Sequence, residues 1–395
     1  MATGKELLET TKMMKDWLVR TRRTLHRVPE AGDAEFRTQE TVCGILDELG
    51  IPYTKKRTSV LALVEGSIPG KVVGLRADMD ALPLNEPADR PYASRNKGYM
   101  HACGHDAHMT IALGAAKYFM EHRDSLEGSV KFLFQPAEET TGGAATMIAE
   151  GCLENPHVDF VTGLHVMPDV PVGKVELKHG ALNGSSDFLG LTIRGKSAHA
   201  AYPSAGIDAI MIASKVVDAL HSVVSRYVSP LQEAVLTIGT IQGGSRNNII
   251  ADEVRMTGTI RTTNPQVRAE IAGRVRAIVE GIPAAFGGSG EAEILAGYAA
   301  LINHDWVVDL IAEEARAMLG ADSIIWRDKA SMGVEDFSFF VQERPGSFYH
   351  LGCGNPAAGI VSPLHSNTFD IDEDCLPIGV AMQAAVVVAL LGKRS

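Results

Sequence analysis

Residues 72–83 read VVGLRADMDALP, a short apolar run that leads directly into an arginine and two carboxylates. The run Val72–Leu75 is typical of a buried strand, and Asp78 and Asp80 leave its end together. A turn in which aspartate accepts backbone hydrogen bonds would also explain this pattern. Residues 130–139, VKFLFQPAEE, repeat the arrangement with a second carboxylate pair. Functional residues of α/β domains collect beyond the carboxyl ends of strands, so both stretches are candidates for a functional site.

Strand and helix patterns alternate up to about residue 180, which favours an α/β layer with helices on both faces of buried strands. Residues 187–296 follow a strand-helix-strand-strand-helix-strand order instead, which resembles a ferredoxin-like unit. We therefore expect one α/β domain formed by residues 1–182 and 298–395, interrupted by a smaller α+β domain at 183–297. The predicted elements of the smaller domain are 187–194, 207–224, 235–241, 254–261, 265–286 and 291–296.

The composition excludes several classes of function. A net charge of -11 speaks against nucleic acids or anionic membranes as partners. The densest basic run, Arg20, Arg22, Arg23 and Arg27, is interpreted as a solvated helix face. Neither a run of about 18 apolar residues nor the apolar core of a secretory signal occurs. Five scattered cysteines without a C-x-x-C pair suit a reducing compartment, and we predict a cytoplasmic protein.

Residues 101–108, HACGHDAH, place three histidines, a cysteine and an aspartate directly before an apolar helix. Thiolate and imidazole are the usual ligands of borderline transition metals, so this density predicts metal binding. A helix N-cap at Asp106 would explain the aspartate but not the combination of Cys103 with His105.

Further ligand types occur elsewhere in the chain. The adjacent Glu138 and Glu139 could divide two tasks, with one carboxylate binding a metal and the other taking a proton from bound water. Alone, such a pair is more often a solvated turn, and an isolated histidine such as His165 or His365 is more often a core residue. Taken together with Cys103, they supply what a two-metal site requires.

Eight motifs spread over nearly the whole chain resemble one enzyme family. They are GLRADMDALPLNE, HACGHDAHM, FQPAEE, GLHV, GKSAHAAYP, GTIRT, GVEDFSFF and LHSNTFDIDE. The set is similar to the amidohydrolase branch of the aminoacylase and glutamate-carboxypeptidase superfamily. This branch includes hippurate hydrolases, N-acyl-amino-acid amidohydrolases and plant auxin-conjugate hydrolases. The resemblance implies a three-layer α/β catalytic domain of the di-zinc-exopeptidase type, with the inserted domain acting as a lid and dimerisation surface.

The resemblance also implies a set of metal ligands. Cys103 is expected to bridge two divalent ions. Glu139 and His365 would complete the coordination of one ion, and His105 and His165 that of the other. Manganese is the first expectation and zinc the second, with cobalt or nickel also compatible with mixed sulfur, nitrogen and oxygen ligands.

Other roles follow from the same resemblance. Glu138 is similar to the general base of the family, and Asp80 to the carboxylate that orients a ligand histidine. In the inserted domain, His199, Asn248 and Arg261 resemble residues that hold the oxyanion and the carboxylate of the substrate, with His199 the candidate donor to the oxyanion. In dimeric relatives, His199 and Asn248 act across the subunit interface. Arg261 would pair with the carboxylate of the substrate.

The implied activity is metal-dependent hydrolysis of the amide bond of N-acyl amino acids, hippurate-like or N-acetylated, which releases a carboxylic acid and a free amino acid. A dipeptidase or carboxypeptidase of the same superfamily would use the same residues, and this alternative stays open. A non-catalytic scaffold is a remote alternative, because competent residues occupy all ligand and base positions. The expected partners are a small-molecule substrate and a second copy of the chain, in a homodimer or a dimer-based tetramer.

Overall fold

The computed structural model describes residues 4–393. By the contacts that its residues make, the chain divides into two compact units. The first unit contains the residues up to Gly180, Asn303–Lys329 and the residues from Asp336 onward. The second contains Ala181–Ile302 and the short segment Ala330–Glu335.

The elements are numbered in chain order across both units. The helices are α1 (Gly4–Lys12), α2 (Lys15–His26), α3 (Phe36–Glu48), α4 (His105–Glu121), α5 (Gly143–Ala149), α6 (Ala209–Tyr227), α7 (Pro265–Ala285), α8 (Asp305–Leu319), α9 (Phe337–Glu343) and α10 (Cys375–Leu391). The strands are β1 (Tyr53–Lys56), β2 (Ser59–Glu65), β3 (Ile68–Asp78), β4 (Glu127–Gln135), β5 (Phe160–Pro171), β6 (Val175–Leu177), β7 (Gly180–Asn183), β8 (Asp187–Arg194), β9 (Ala234–Gly243), β10 (Glu253–Thr262), β11 (Ser289–Ala296), β12 (Leu301–Asn303), β13 (Ile324–Trp326) and β14 (Gly346–Gly354).

The first unit is built on an eight-stranded sheet in the order β1-β2-β4-β3-β5-β14-β6-β13. Its central strands β4, β3, β5 and β14 are parallel, so their carboxyl ends meet at one edge. Successive side chains of a strand point to opposite faces, and Phe132 and Phe134 of β4 share a core with α4 and α10. On β5, Gly163 leaves room for Phe348 of β14, because a Cβ there would lie 2.9 Å from its ring. The predicted α/β fold is confirmed.

The second unit contains a four-stranded sheet in the order β11-β8-β10-β9. All neighbouring strands in it are antiparallel, and the chain order of elements is β8-α6-β9-β10-α7-β11. This is the predicted ferredoxin-like arrangement. Helix α6 begins at an Asp208 side chain that accepts the backbone N–H groups of its first turn. Its stripe of Ile212, Val216, Leu220 and Val223 is buried in the core of this unit.

The segment 330–335 differs from the predicted domain boundaries, which assigned it to the first domain. The Ser331 N–H donates to the carbonyl of Leu182 at 2.9 Å, and the Gly184 N–H donates to the carbonyl of Ser331 at 2.8 Å. The Arg261 guanidinium donates to the carbonyl of Met332 at 2.9 Å. These contacts attach an irregular segment to the second unit, and hydrophobic periodicity carries no signal for such an attachment. The function of the second unit as a lid and dimerisation domain stays a prediction.

Among residues 4–393, no helix has the length and apolar character needed to cross a membrane. Helix α10 is apolar on nearly all sides because it lies inside the core of the first unit. The five cysteines are buried and their thiols are free.

Candidate metal centre

The predicted ligands and their neighbours converge where the central strands of the first unit end. They come from the residues after β3, the start of α4, the turn after β4, β5 itself and the loop between β14 and α10. In chain order these residues are Asp80, Cys103, His105, Glu138, Glu139, His165 and His365. All of them belong to the first unit.

Five of these residues, Cys103, His105, Glu139, His165 and His365, are called the ligand cluster below. The Cys103 Sγ atom lies 3.3 Å from His165 Nε2 and 3.3 Å from His365 Nε2. The Glu139 Oε1 atom lies 3.2 Å from His365 Nε2 and 3.9 Å from His105 Nε2. Two groups result, Cys103–His105–His165 and Cys103–Glu139–His365, and within each group the candidate ligand atoms lie within 4.8 Å of one another. The chain thus brings the five residues together around a shared thiol, while their role as ligands stays a prediction.

The turn that presents Cys103 and His105 depends on Gly104. This residue precedes α4 with a φ of +87°, a conformation that glycine adopts without strain. A Cβ atom at this position would lie 2.3 Å from Cγ2 of Val166. The start of α4 therefore packs directly against β5, which brings the residues on both sides of Gly104 close to His165.

The atoms of the ligand cluster fit divalent cations. Within the part of the chain that the structure describes, no hydrogen-bond partner is found for the buried His105 Nε2 and Glu139 Oε1 atoms, although Glu139 Oε1 lies 3.2 Å from His365 Nε2. Buried polar atoms without partners are rare, and a cation would satisfy both of these. Burial raises the pKa of the Cys103 thiol well above its ordinary value, with His105 opposing the change. A metal ion is the kind of charge that would hold this buried sulfur as a thiolate.

The two buried histidines of the ligand cluster are oriented by backbone carbonyls. His105 Nδ1 lies 2.9 Å from the carbonyl oxygen of Asp80, and His165 Nδ1 lies 2.7 Å from that of Val166. With Nδ1–H donating to these oxygens, the lone pair of each Nε2 atom is available. Histidines that bind metals are usually held in this way.

Asp80 contacts two members of the ligand cluster. Its Oδ1 atom lies 3.3 Å from His105 Nδ1, and its Oδ2 atom accepts the backbone N–H of Glu139 at 2.9 Å. The side chain is fully buried. This geometry supports the predicted orienting role, and it adds a contact with the Glu139 backbone that the sequence did not indicate.

Another group of candidate ligands, Asp78 with His105 and His108, is already engaged in hydrogen bonds. His108 Nδ1 lies 2.6 Å from Asp78 Oδ1, and His108 Nε2 accepts the backbone N–H of Val166 at 2.9 Å. Both ring nitrogens are therefore occupied. Asp78 is also held by the Arg76 guanidinium at 2.6 Å. The sequence placed Asp78 and His108 in the right motifs but gave no signal for this supporting role.

The turn that carries Glu138 is stabilised by a hydrogen bond with the Glu35 side chain. Glu138 is buried, and its carboxylate lies within 4.8 Å of ligand atoms of His105 and Glu139. Ala137 has a φ of +59°, which is unusual for a residue with a Cβ. Its N–H donates to Glu35 Oε1 at 2.8 Å. Glu35 is fully buried, and burial raises its pKa to about 7. Sequence reasoning missed this residue, which precedes α3 far from the motif at Glu138.

Three predicted site residues lie in the second unit. His199 and Asn248 are exposed and occupy neighbouring segments, since the Ala200 N–H donates to the Asn248 carbonyl at 3.0 Å. His199 forms a bridge with Ile249, and its ring lies 5.6 Å from that of Tyr202. Arg261 is half-buried at the end of β10. The structure brings His199 and Asn248 together as surface groups, and their roles toward a substrate stay predictions.

The basic run on α2 corrects one interpretation. Arg20 is exposed, as a solvated helix face requires, but Arg22 is fully buried. Its guanidinium lies 2.7 Å from Asp106, which occupies the first turn of α4 beside His105. The interpretation was wrong for Arg22 because the acidic partners come from distant parts of the chain.

Comparison with known proteins adds to this geometry. A sequence model of Peptidase family M20/M25/M40 matches residues 74–389. Thermostable carboxypeptidase 1 of Saccharolobus solfataricus is 34% identical over 98% of this chain and 99% of its own length. The N-acetyl-L-cysteine deacetylase of Bacillus subtilis is 40% identical over 91% of this chain and 84% of its own. A solved Bacillus subtilis structure, described as a dinuclear metal-binding peptidase of the M20 family, superposes with a TM-score of 0.84. Its sequence is 31% identical, and the match covers 96% of this chain and 99% of that one.

The family match spans both units and every member of the ligand cluster. The resemblance that was drawn from eight sequence motifs is thereby confirmed, together with the mixed α/β fold that it implied. This chain belongs to Peptidase family M20/M25/M40.

Proposed function

We propose that this chain is a metal-dependent amidohydrolase that cleaves N-acyl amino acids into a carboxylic acid and a free amino acid. The observation that carries the proposal is the ligand cluster, in which one buried thiol is shared by two groups of candidate ligands. We assign two divalent ions to these groups. Cys103, Glu139 and His365 would hold one ion, and Cys103, His105 and His165 the other.

When bound, the ions supply a water of lowered pKa and polarise the amide carbonyl. Glu138, which is buried beside His105 and Glu139, takes a proton from the attacking water. The same carboxyl group then gives that proton to the departing nitrogen, so it acts first as base and then as acid. Asp80 keeps His105 oriented through its carbonyl and carboxylate oxygens.

The second unit provides the groups for substrate recognition in this proposal. The exposed His199 is the donor for the developing oxyanion, a contact typically worth about 3–4 kcal/mol of barrier, and Asn248 is a further substrate-binding residue. Arg261 pairs with the carboxylate of the amino-acid part of the substrate. We therefore expect substrates with a free carboxylate next to the scissile amide.

The assembly that we propose is a homodimer or a dimer-based tetramer formed through the second unit. Strand β9 lies at one edge of its sheet and carries exposed Val235 and Ile241. Exposed apolar edge strands are sites where another chain can pair. Manganese is our first choice of metal and zinc our second, with cobalt or nickel also possible, and we place the enzyme in the cytoplasm.

A carboxypeptidase or dipeptidase activity is the second candidate. The relative named thermostable carboxypeptidase 1, which matches 98% of this chain, favours it. The deacetylase relative favours the first candidate. Both activities use the same metals, base and carboxylate contact, so the substrate must separate them. A non-catalytic scaffold has no observation in its favour.

The test is a release assay with metal-stripped protein that is reconstituted with Mn²⁺, Zn²⁺, Co²⁺ or Ni²⁺ in turn. The panel contains acetyl and benzoyl amino acids, their carboxamide counterparts, dipeptides and longer peptides. We expect the highest kcat/KM for N-acyl amino acids with a free carboxylate, and no activity without metal. Faster release of the last residue from longer peptides would instead establish the carboxypeptidase. An absence of turnover on every substrate with two ions bound would refute the proposal.

A further inference from the structure

The fully buried Arg22 contacts two segments of the chain. One segment carries Cys103 and His105 of the ligand cluster, and the other carries His365. The Arg22 Nε atom donates to Asp106 Oδ2 at 2.7 Å. Its Nη2 atom donates to Asp370 Oδ1 at 3.1 Å, and Nη1 approaches Glu373 at 3.5 Å. Asp106 directly follows His105 in the sequence. A single side chain from α2 therefore contacts the start of α4 and the segment that follows β14.

The second of these contacts lies close to His365 in the chain. Asp370 is held at both carboxylate oxygens, since the Tyr92 hydroxyl donates to Oδ2 at 2.7 Å and the Ile371 N–H donates to Oδ1 at 2.9 Å. The Arg22 guanidinium also lies over the Tyr92 ring, 4.9 Å from its centre. Asp370 is thus a fixed anchor for the loop that presents His365.

The backbone supplies a further link between the same two segments. The His365 N–H donates to the carbonyl of Ala102 at 2.8 Å, and His365 itself has a φ of +61°. A single hydrogen bond allows a loop to pivot about it. A second contact at some distance from the first removes that freedom, and the Arg22–Asp370 pair is such a contact.

The burial of Arg22 indicates that this residue fixes the positions of the segments it contacts more than it stabilises the folded state. Burying a charged guanidinium costs free energy, and buried ion pairs are weak contributors to net stability even when they are well satisfied. Their best supported use is to fix one arrangement among several. The arrangement that Arg22 fixes is the separation of Cys103 and His105 from His365.

We propose that Arg22 is a positioning residue for the ion held by Cys103, Glu139 and His365, and this rests on the proposed function above. That ion needs both of the segments that Arg22 joins. The ion held by Cys103, His105 and His165 needs only the first of them. Loss of the Arg22 contacts should therefore lower the affinity for the ion held by Cys103, Glu139 and His365. The affinity for the other ion should stay unchanged.

The experiment measures the binding of both ions by competition with a chromophoric chelator, in the parent and in Arg22→Lys, which keeps the charge but cannot reach three acceptors. Asp370→Asn removes the contact on the His365 side alone, so it tests the proposal even if Arg22→Lys folds poorly. Arg20→Gln, an exposed position on the same helix, is the matched control. Unfolding of each metal-free variant is measured first to show that it is folded.

We expect Arg22→Lys and Asp370→Asn to bind the ion of Cys103, Glu139 and His365 about 10- to 100-fold more weakly than the parent. This is the range found when residues that contact a metal ligand are changed. The other ion and the Arg20→Gln control should match the parent. In a His365→Ala background, Arg22→Lys should have no further effect on the remaining ion, because the two changes then act through one residue.

Equal weakening of both ions, or an undiminished effect in the His365→Ala background, would overturn the positioning role. So would two-ion binding in both variants identical to that of the parent. A parent that binds no divalent ion would instead overturn the proposed function, so the two failures are distinguishable.

Discussion

Replacing Glu35 with glutamine should make the metal-free protein more stable than its parent at neutral and alkaline pH. Glu35 is fully buried, and its Oε1 atom accepts the N–H of Ala137 at 2.8 Å. Burial raises the pKa of this carboxyl to about 7, and the nearby Asp80 carboxylate adds to the rise. A glutamine can keep the bond to Ala137 without placing a charge in this site.

The size and the sign of the change in unfolding free energy follow from the difference between the pKa of Glu35 in the folded and in the unfolded state. Below an unfolded pKa of about 4.5, the Glu35 carboxyl is protonated in both states. As the pH rises, the unfolded chain loses this proton first, so the folded state is progressively disfavoured until its own pKa of about 7 is passed. At about 1.4 kcal/mol per pH unit, the window between the two pKa values corresponds to about 3 to 4 kcal/mol at most.

The assay is denaturant unfolding of metal-free parent and Glu35→Gln protein at intervals between about pH 4.5 and pH 8.5. The unfolding free energy of the variant minus that of the parent should rise with pH and level off above about pH 7.5. Glu40→Gln is the matched control, because Glu40 is an exposed glutamate on α3, the helix that Glu35 precedes. A difference for Glu35→Gln that stays constant across the range, or falls, would refute the reasoning.

Three further predictions concern the proposed chemistry. Cys103→Ser should lose at least one ion per subunit, because a hydroxyl group is a poor bridging ligand at neutral pH; metal analysis showing two retained ions would contradict the bridging role. Glu138→Gln should fold and bind metal like the parent but turn over substrate at least ~100-fold more slowly. Near-normal turnover with full metal content would transfer the role of base to another group, with Asp80 the first candidate. His199→Ala should keep both ions and lower kcat more than it raises KM, as removal of a transition-state contact does. Mixed dimers of His199→Ala and Glu138→Gln subunits should regain part of the activity, and a mixed dimer confirmed by mass without such recovery would show that His199 does not act across an interface.

The fold could be predicted from sequence because its elements carry strong periodic signals. The inserted unit was predicted element by element: the strand at 187–194 matches β8, and the helix at 265–286 matches α7 to within one residue. Both are regular elements with one buried face. The segment 330–335 groups with the second unit by its contacts, and sequence patterns carry no signal for this because the segment is irregular and is held by backbone hydrogen bonds.

In the candidate site, too, some residues could be predicted from the sequence and others could not. The ligand cluster could be found because its residue types are chemically distinctive and its motifs follow predicted strands. The supporting groups could not, because Glu35, His108 and Arg22 act through contacts with partners far away in the sequence. An arginine in an amphipathic helix looks solvated until the acidic groups that surround it are known.

Charge pairing explains why cations would enter the ligand cluster and not the acidic groups beside it. Burial raises the pKa of Asp78, but Arg76, together with His105 and His108, lowers it by more, so that the pKa lies well below its usual range. Asp106 follows the same pattern, with Arg22 as the compensating charge. Each of these buried carboxylates thus has a resident arginine, which would repel a divalent ion and already occupies carboxylate oxygens. In contrast, the Glu139 Oε1 atom lies beside two histidines of the ligand cluster, 3.2 Å from His365 Nε2 and 3.9 Å from His105 Nε2. The two arginines thus neutralise the carboxylates beside the ligand cluster, whereas the carboxylate of the cluster itself lies beside imidazoles that can share a cation with it.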